Sequence, residues 1–475
     1  MHTKYLLAGL ASAGLALILT LSSFYKPLPP QTPLPQQEEV SYNGNRKVIN
    51  STGPLTLSTD FENNYYTTNH PEGFFYAELS AQEVHSEYST EVPLNISVVI
   101  DRSGSMSGDK LINAKRAAKH LIDQLNPNDY VSIVMYDDRV NLVHPTTVAV
   151  NRHLIKSKID AITTRGGTNL MGGAQLGYDE VKRNYKEGYI NRVLLLSDGL
   201  ANEGITDPQQ IQKIVRTQNN TNGISISTFG LGNDYNEDLM TAMAENGTGN
   251  YYFISNPQSI AGIFERELNG LKEVVAQNAK VTITLPENVN VTRVYGHPFD
   301  QVGRKLTVHL RDIFSGEQKG ILVRYAVARG VNTLLRFSTA VDFTDRSESQ
   351  RSRSFRNNNN QEFTNRIDVY QQSFNEWVSA QVALYTSNER LELAMKEVDK
   401  GNYDEAKKIV RENNEYIQSK APLVSKSVEL QKAQTTNAGY SKDLESLSSM
   451  SQEDVKYLQK STKSTNYEIR AKKKR

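Results

Sequence analysis

The chain contains no cysteine, which excludes disulfides, thiolate metal sites, a cysteine nucleophile and lipid attachment at an N-terminal cysteine. Any catalysis would have to use oxygen or imidazole groups. An excess of one charge is also missing, because Lys+Arg total 54 and Asp+Glu 53. Nonspecific nucleic-acid binding, which relies on a bulk positive field, is therefore not expected. Long apolar runs are absent except near the N-terminus, and 38% hydrophobic residues with a mean hydropathy of -0.54 describe a soluble protein in which any membrane segment is local. The 475 residues exceed what one compact domain usually holds, so two or three folded units joined by linkers are expected.

The apolar exception lies between Lys4 and Lys26, an uncharged stretch that includes the run Leu6 to Leu21. At about 1.5 Å per helical residue it matches a hydrocarbon core of roughly 30 Å, whereas the apolar part of a cleaved signal is typically about 7 to 15 residues. Residues 1–25 read as an uncleaved signal anchor, with a cleaved signal peptide and a secreted product as the alternative, since Ser22 and Ser23 are small enough for a cleavage site. Both readings place the bulk of the chain outside the cytoplasm, because Lys4 is the only Lys or Arg ahead of the segment. A linker is expected over 26–52, in which PLPPQTPLPQQEE (Pro27 to Glu39) should form an extended stalk.

From Leu94 the pattern alternates between apolar runs and helical stretches. LNISVVI, YVSIVMY, RVLLLSDG, ISISTFGLG and NYYFI read as strands separated by helices such as Lys110 to Gln124. This is the signature of an α/β domain with a doubly wound, mostly parallel, Rossmann-like sheet, placed over 93–275. Residues 280–345 instead show short alternating strands, VTITLP, KLTVHL, ILVRYAVA and TLLRFST, with no helices between them. They are expected to form a β-sandwich with residues 53–92, which contain GFFYAEL, so that the α/β domain is inserted between its halves. The polar, low-complexity stretch 346–365 is expected to be a linker. Residues 366–475 read as helical, including a hairpin broken at Gly401 and Asn402, and the terminal AKKKR reads as a solvated tail.

One motif carries chemistry. At the end of the first α/β strand, VVIDRSGSMSGDK places Asp101, Ser103 and Ser105 two residues apart, where alternate side chains can converge and Gly104 allows a tight path. One carboxylate and two hydroxyls make a hard-oxygen cation site suited to Mg2+, with Mn2+ or Ca2+ as substitutes, and not to zinc. Thr168 follows two glycines in RGGTNLMGG, ahead of a helical stretch, and Asp198 in RVLLLSDG ends another buried strand.

The ordered set IDRSGSM, GGTN, LLSDG resembles the von Willebrand factor type A family and its metal-ion-dependent adhesion site, over roughly Pro93 to Lys272. The flanking segments are similar to those of bacterial extracytoplasmic members that carry the domain between β-sandwich halves. The resemblance implies that Ser103, Ser105 and Thr168 offer hydroxyls to the metal, that Asp101 and Asp198 bind it directly or through water, and that the last helix, near Ser259 to Lys272, can shift to switch affinity. The plain alternatives are an N-cap at Asp101, turn hydroxyls at Ser103, Ser105 and Thr168, and an Asp-Gly turn at Asp198. The function expected is a non-enzymatic, membrane-anchored binding or adhesion module whose divalent metal holds an acidic group of a protein or polymer partner. A scaffold that binds mainly through its C-terminal helices is the second reading. A serine hydrolase using Ser105 is remote, because GSMSG (Gly104 to Gly108) lacks the G-x-S-x-G elbow and no histidine is placed as base.

Overall fold

The chain enters the fold through antiparallel strands β1 (Glu38–Tyr42), β2 (Asn45–Thr52) and β3 (Leu55–Phe61), followed by the short β4 (Tyr65–Tyr66) and by β5 (Glu72–Ala81). The α/β domain then runs β6 (Leu94–Asp101), α1 (Asp109–Gln124), β7 (Tyr130–Tyr136), β8 (Val140–Val148), α2 (Arg152–Asp160), α3 (Leu170–Arg183) and β9 (Ile190–Ser197). It closes with α4 (Pro208–Asn222), β10 (Ser225–Leu231), α5 (Glu237–Asn246), β11 (Thr248–Ile254) and α6 (Ile260–Lys272). Strands β12 (Val274–Thr284), β13 (Val289–Tyr295), β14 (Asp300–Val302), β15 (Lys305–Phe314), β16 (Gln318–Val327), β17 (Leu335–Asp345) and β18 (Ser352–Phe363) follow. The C-terminal helices are α7 (Ile367–Gln372), α8 (Glu376–Asp399), α9 (Tyr403–Ser419), α10 (Ala421–Val424), α11 (Val428–Ser446) and α12 (Gln452–Arg470).

This computed structural model describes residues 38–42, 45–83, 92–346 and 351–471, and the expected anchor 1–25, the stalk up to residue 37 and the end of the AKKKR tail lie outside them. Among the described residues no helix is long and apolar enough to cross a membrane.

The α/β sheet has the order β11-β10-β9-β6-β7-β8, parallel except for the edge strand β8. Strands β6, β9 and β10 are buried at every position, as expected of a sheet covered on both faces. Leu121 of α1 and Phe264 of α6 pack with Ile96 and Ile133 on one face, and Tyr178 of α3, Val215 of α4 and Met243 of α5 pack with Val99 and Leu195 on the other. The helices start where the sequence supplies caps. The side chains of Asn151, Asn169, Asp207 and Asn236 accept hydrogen bonds from the first turns of α2, α3, α4 and α5.

Helix α6 is tied to the sheet by a buried charge cluster. Glu267 accepts from Arg192 Nη1 (2.9 Å), Ser227 Oγ (2.5 Å), Asn250 Nδ2 (2.7 Å) and the Tyr252 hydroxyl (2.7 Å), which reach it from β9, β10 and β11.

Two further sheets pack face to face, one ordered β1-β2-β3-β5-β16-β13 and the other β14-β15-β12-β17-β18-β4. Strands on either side of the α/β domain share a sheet, since β5 pairs antiparallel with β16 from Ser80↔Gln318 to Glu72↔Ala326. Phe61, Phe75, Tyr325 and Phe337 centre the core between the sheets, with Phe61 and Phe337 edge-on at 4.9 Å.

Two expected linkers are corrected here. Residues 38–42 and 45–52 are strands β1 and β2, so the linker expected over 26–52 is not one at its C-terminal end. The stretch 346–365 contains β18, in which Phe355, Asn357, Asn359 and Gln361 are buried between exposed neighbours. Their amides satisfy neighbouring backbone: Asn357 Nδ2 donates to Val48 O (2.7 Å) and Leu57 O (3.1 Å), Asn359 Nδ2 to Thr59 O (3.1 Å) and Gln361 Nε2 to Asn63 O (2.9 Å). A polar run can be a core strand when each buried amide finds carbonyls across the sandwich.

Helices α8 and α9 form a hairpin that packs on α11, with Asn413 Nδ2 donating to Asn437 Oδ1 at 2.9 Å. Helix α12 returns to the α/β domain. Tyr467 meets Tyr251 edge-on at 5.6 Å, Lys463 Nζ lies 2.7 Å from Glu237, and Lys460 Nζ donates to Tyr235 O at 2.7 Å.

Candidate metal centre

The sheet order puts the ends of β6 and β9 side by side, and the chain runs from β6 to β7 on one side and later returns to β9 on the other. Such a reversal leaves a crevice beyond the carboxyl ends of the strands. Asp101 ends β6, and Asp198 follows β9 directly. Both carboxylates are 0% exposed.

Asp101 is held from three directions. Its Oδ1 accepts from Ser103 N (2.8 Å), and its Oδ2 from Ser197 Oγ (2.8 Å) and, at 3.4 Å, the Tyr136 hydroxyl. Burial pushes its carboxyl up to about 6, against the lowering effect of the Ser103 and Ser197 hydrogen bonds, and the neighbouring Asp198 adds to the rise.

The hydroxyls link the two carboxylates. Ser103 Oγ lies 3.0 Å from Ser105 Oγ, which donates to Asp198 Oδ1 at 2.8 Å. Thr168 is fixed through its backbone: its N donates to Asn202 Oδ1 (2.8 Å), and its O accepts from Asn202 N (3.2 Å). Its hydroxyl faces the same space, because a Cβ built on Gly199 would lie 3.0 Å from Thr168 Oγ1 and 3.5 Å from Ser105 Oγ. Gly104 N donates to Gly166 O (3.1 Å) and Arg165 N to Arg102 O (2.8 Å), which ties the glycine loop to the serine loop. The Arg102 guanidinium pairs with buried Asp137 at 2.5 Å. Ser105 is exposed, whereas Ser103 and Thr168 are buried, so the cluster opens to solvent on the Ser105 side.

All five residues singled out in the sequence therefore meet at one crevice. The donor set is three hydroxyls and two carboxylates with no nitrogen or sulfur, which fits a hard divalent cation. Among the described residues no group of three or more His, Asp or Glu side chains could hold a metal, so a cation here would depend on the hydroxyls. Asp137 accepts from Arg139 N at 2.6 Å, as a turn residue does.

Sequence reasoning missed one contributor. Lys110, in the first turn of α1, places Nζ 2.6 Å from Asp198 Oδ2. The only signal was a lysine five residues after Ser105 in SGDK.

Residues 95–266 match the family described as von Willebrand factor type A domain. An uncharacterised protein of Escherichia coli K12, YfbK, is 30% identical over 265 residues, 54% of this chain and 45% of that protein. The human inter-alpha-trypsin inhibitor heavy chain H4 is 26% identical over 289 residues, 54% of this chain and 29% of that protein. The chain thus spans less than half the length of either relative. The fold is also that of a solved von Willebrand factor type A protein from Catenulispora acidiphila, with a TM-score of 0.65 at 15% identity over 82% of this chain and 90% of that one. The ArnB paralog VWA2 of Sulfolobus acidocaldarius gives 0.60 at 18% identity over 87% and 99%. The chain carries a von Willebrand factor type A domain over residues 95–266.

Proposed function

We propose that this domain is a metal-dependent binding module, held outside the cytoplasm by the N-terminal segment, that captures an acidic group of a protein or polymer partner and performs no catalysis. Domains of this family generally mediate protein–protein interaction, and a role in interaction or adhesion follows for this chain. The observation that carries the finer reading is the placement of two fully buried carboxylates behind one exposed hydroxyl, Ser105, at the crevice of the sheet. Asp101, Ser103, Ser105, Thr168 and Asp198 would hold Mg2+ or Mn2+, and the bound cation would supply an open position for a carboxylate oxygen. The hydrogen bonds between the serine and glycine loops keep the donors converged, and the solvent side at Ser105 admits the partner.

Against a hydrolase, the hydrogen-bond partners of Ser105 Oγ are Ser103 and Asp198 rather than a histidine. Against binding mainly through the C-terminal helices, the cations of α12 are engaged within the molecule. Lys456 pairs with Asp234, Lys463 with Glu237 and Asp399, and Arg470 with Glu245 and Glu392.

Calorimetric titration of the full chain with Mg2+ and Mn2+, beside Asp101→Asn, tests the reading. Saturable binding lost in the variant is expected. Absence of binding to the parent, with or without a small carboxylate present, would refute metal-dependent capture.

A further inference from the structure

The lysine beside Asp198 is built into the site rather than resting on it. Lys110 is the second residue of α1, whose N-cap Gly108 takes φ +73°, and the turn returns the side chain to the crevice. Its Nζ reaches Asp198 Oδ2 at 2.6 Å while Ser105 Oγ holds Oδ1, so both oxygens of a fully buried carboxylate are engaged. The lysine side chain is 26% exposed. It passes alongside Gly232, where a Cβ would lie at van der Waals contact, 3.4 Å from Cε and 3.5 Å from Nζ. Asp234, the other carboxylate on that side, is taken by Lys456 at 2.9 Å. Arg102 is neutralised by Asp137. The charged groups joined within the cluster are Asp101, Asp198 and Lys110, with Asp234 acting on Lys110 from one side and Glu203 and Asp138 bordering the glycine loop at Gly167 and Gly166.

This inference rests on the metal-binding reading above and concerns how that site is tuned. We propose that Lys110 is the resident counter-cation of the centre, which makes capture of a divalent metal depend on an acidic partner. Without metal the ammonium supports Asp198, whose burial would otherwise be costly. With a divalent cation present, two carboxylates and one ammonium leave the centre one positive charge in excess. A partner carboxylate supplies the missing negative charge, so metal and acidic ligand bind cooperatively, each raising the affinity for the other by the same factor. The lysine thus selects anionic partners and opposes loading by metal alone.

The test is Mn2+ binding to the full-length chain, read by electron paramagnetic resonance of the free ion, with and without sodium acetate as the carboxylate probe. Parent, Lys110→Met and Lys110→Arg are compared, and Lys110→Gln, which keeps a donor for Asp198 without the charge, replaces Lys110→Met if circular dichroism shows that the latter does not fold. The expected result is Mn2+ affinity about tenfold higher in the uncharged variant without acetate, because a like charge within a few ångströms is gone. Acetate should strengthen Mn2+ binding severalfold in the parent, less in the uncharged variant, and as in the parent in Lys110→Arg. If the parent binds Mn2+ and the uncharged variant stays within twofold of it, or Lys110→Arg gains as much as Lys110→Met, the inference is overturned while the metal site stands. If no chain binds Mn2+ under any condition, the metal reading fails and this inference fails with it. Binding by the uncharged variant alone without acetate, with parent binding restored by acetate, would support both.

Discussion

Replacing Glu267 by Gln should loosen the last helix of the α/β domain more than any surface change would. Four donors converge on this 1% exposed carboxylate, two on each oxygen, and its main charge partner Arg192 is 0% exposed. Burial by itself would raise the Glu267 carboxyl, but the Arg192 cation and the Ser227, Asn250 and Tyr252 donors outweigh it and hold the group below its ordinary value. A Gln turns an amide donor toward two of those donors and leaves Arg192 with only Asp312, at 3.5 Å, as a carboxylate partner. Breaking a buried pair in this way costs about 3–5 kcal/mol. With the α/β domain unfolding as its own unit, at roughly 2–4 °C per kcal/mol, its thermal midpoint at pH 7 should fall by about 6–20 °C.

The pH dependence supplies a second reading of the same group. Because the folded carboxyl lies below its unfolded value of 4.5, its contribution is fully present above that pH and is lost as the pH falls through the folded value. The parent midpoint should therefore drop more steeply than that of Glu267→Gln below about pH 4.5. Joint replacement, Glu267→Leu with Arg192→Met, should recover most of the loss, since well-packed apolar groups can match a buried ion pair. A fall under about 2 °C for Glu267→Gln at pH 7 would refute the account, because even one unsatisfied buried donor costs about 1–3 kcal/mol.

Three further outcomes can be checked independently. Gly199→Ala should fold with a stability change within about 1 kcal/mol, because the tight 3.0 Å contact to Thr168 Oγ1 opposes the entropic gain of the methyl. Its Mg2+ affinity, measured by calorimetry, should fall at least about tenfold, since the methyl enters the space the hydroxyls share. Asn357→Leu should lower the unfolding free energy measured in urea by about 1–3 kcal/mol, as the carbonyls of Val48 and Leu57 lose their side-chain donor. Lys463→Met removes contacts to Glu237 (2.7 Å) and Asp399 (2.7 Å), and should speed amide exchange in α12 while leaving the sandwich strands unchanged.

What could be read from the sequence follows burial. LNISVVI and RVLLLSDG were legible as central strands because parallel strands covered on both faces are apolar at every position. Asp101, Ser103 and Ser105 were legible because a loop at a strand end places short polar side chains by local geometry, whereas Thr168 and Asp198 were legible as ligands through the resemblance to the von Willebrand factor type A family. The strand from Ser352 to Phe363 was not legible: FRNNNNQEF hides its inward face among amides, and only the carbonyls of Val48, Leu57, Thr59 and Asn63, some 300 residues earlier, make that face compatible with a core. Lys110 was invisible for a similar reason. The end point of a long side chain is set by what it reaches, here Asp198 past Gly232, and no spacing along the chain announces that.

The insertion of the α/β domain has a mechanical meaning. The chain leaves β5 to begin the domain and comes back from Lys272 to Val274 through the single residue Glu273, whose carbonyl is held by Ser315 N at 2.9 Å. These two crossings belong to different sheets, β5 lying between β3 and β16 and β12 between β15 and β17. A pull delivered at the strand-end crevice is thus shared by two interior strands, each flanked by neighbours on both sides. Neither strand lies at a sheet edge, so neither presents an unpaired side from which a ladder could start to open.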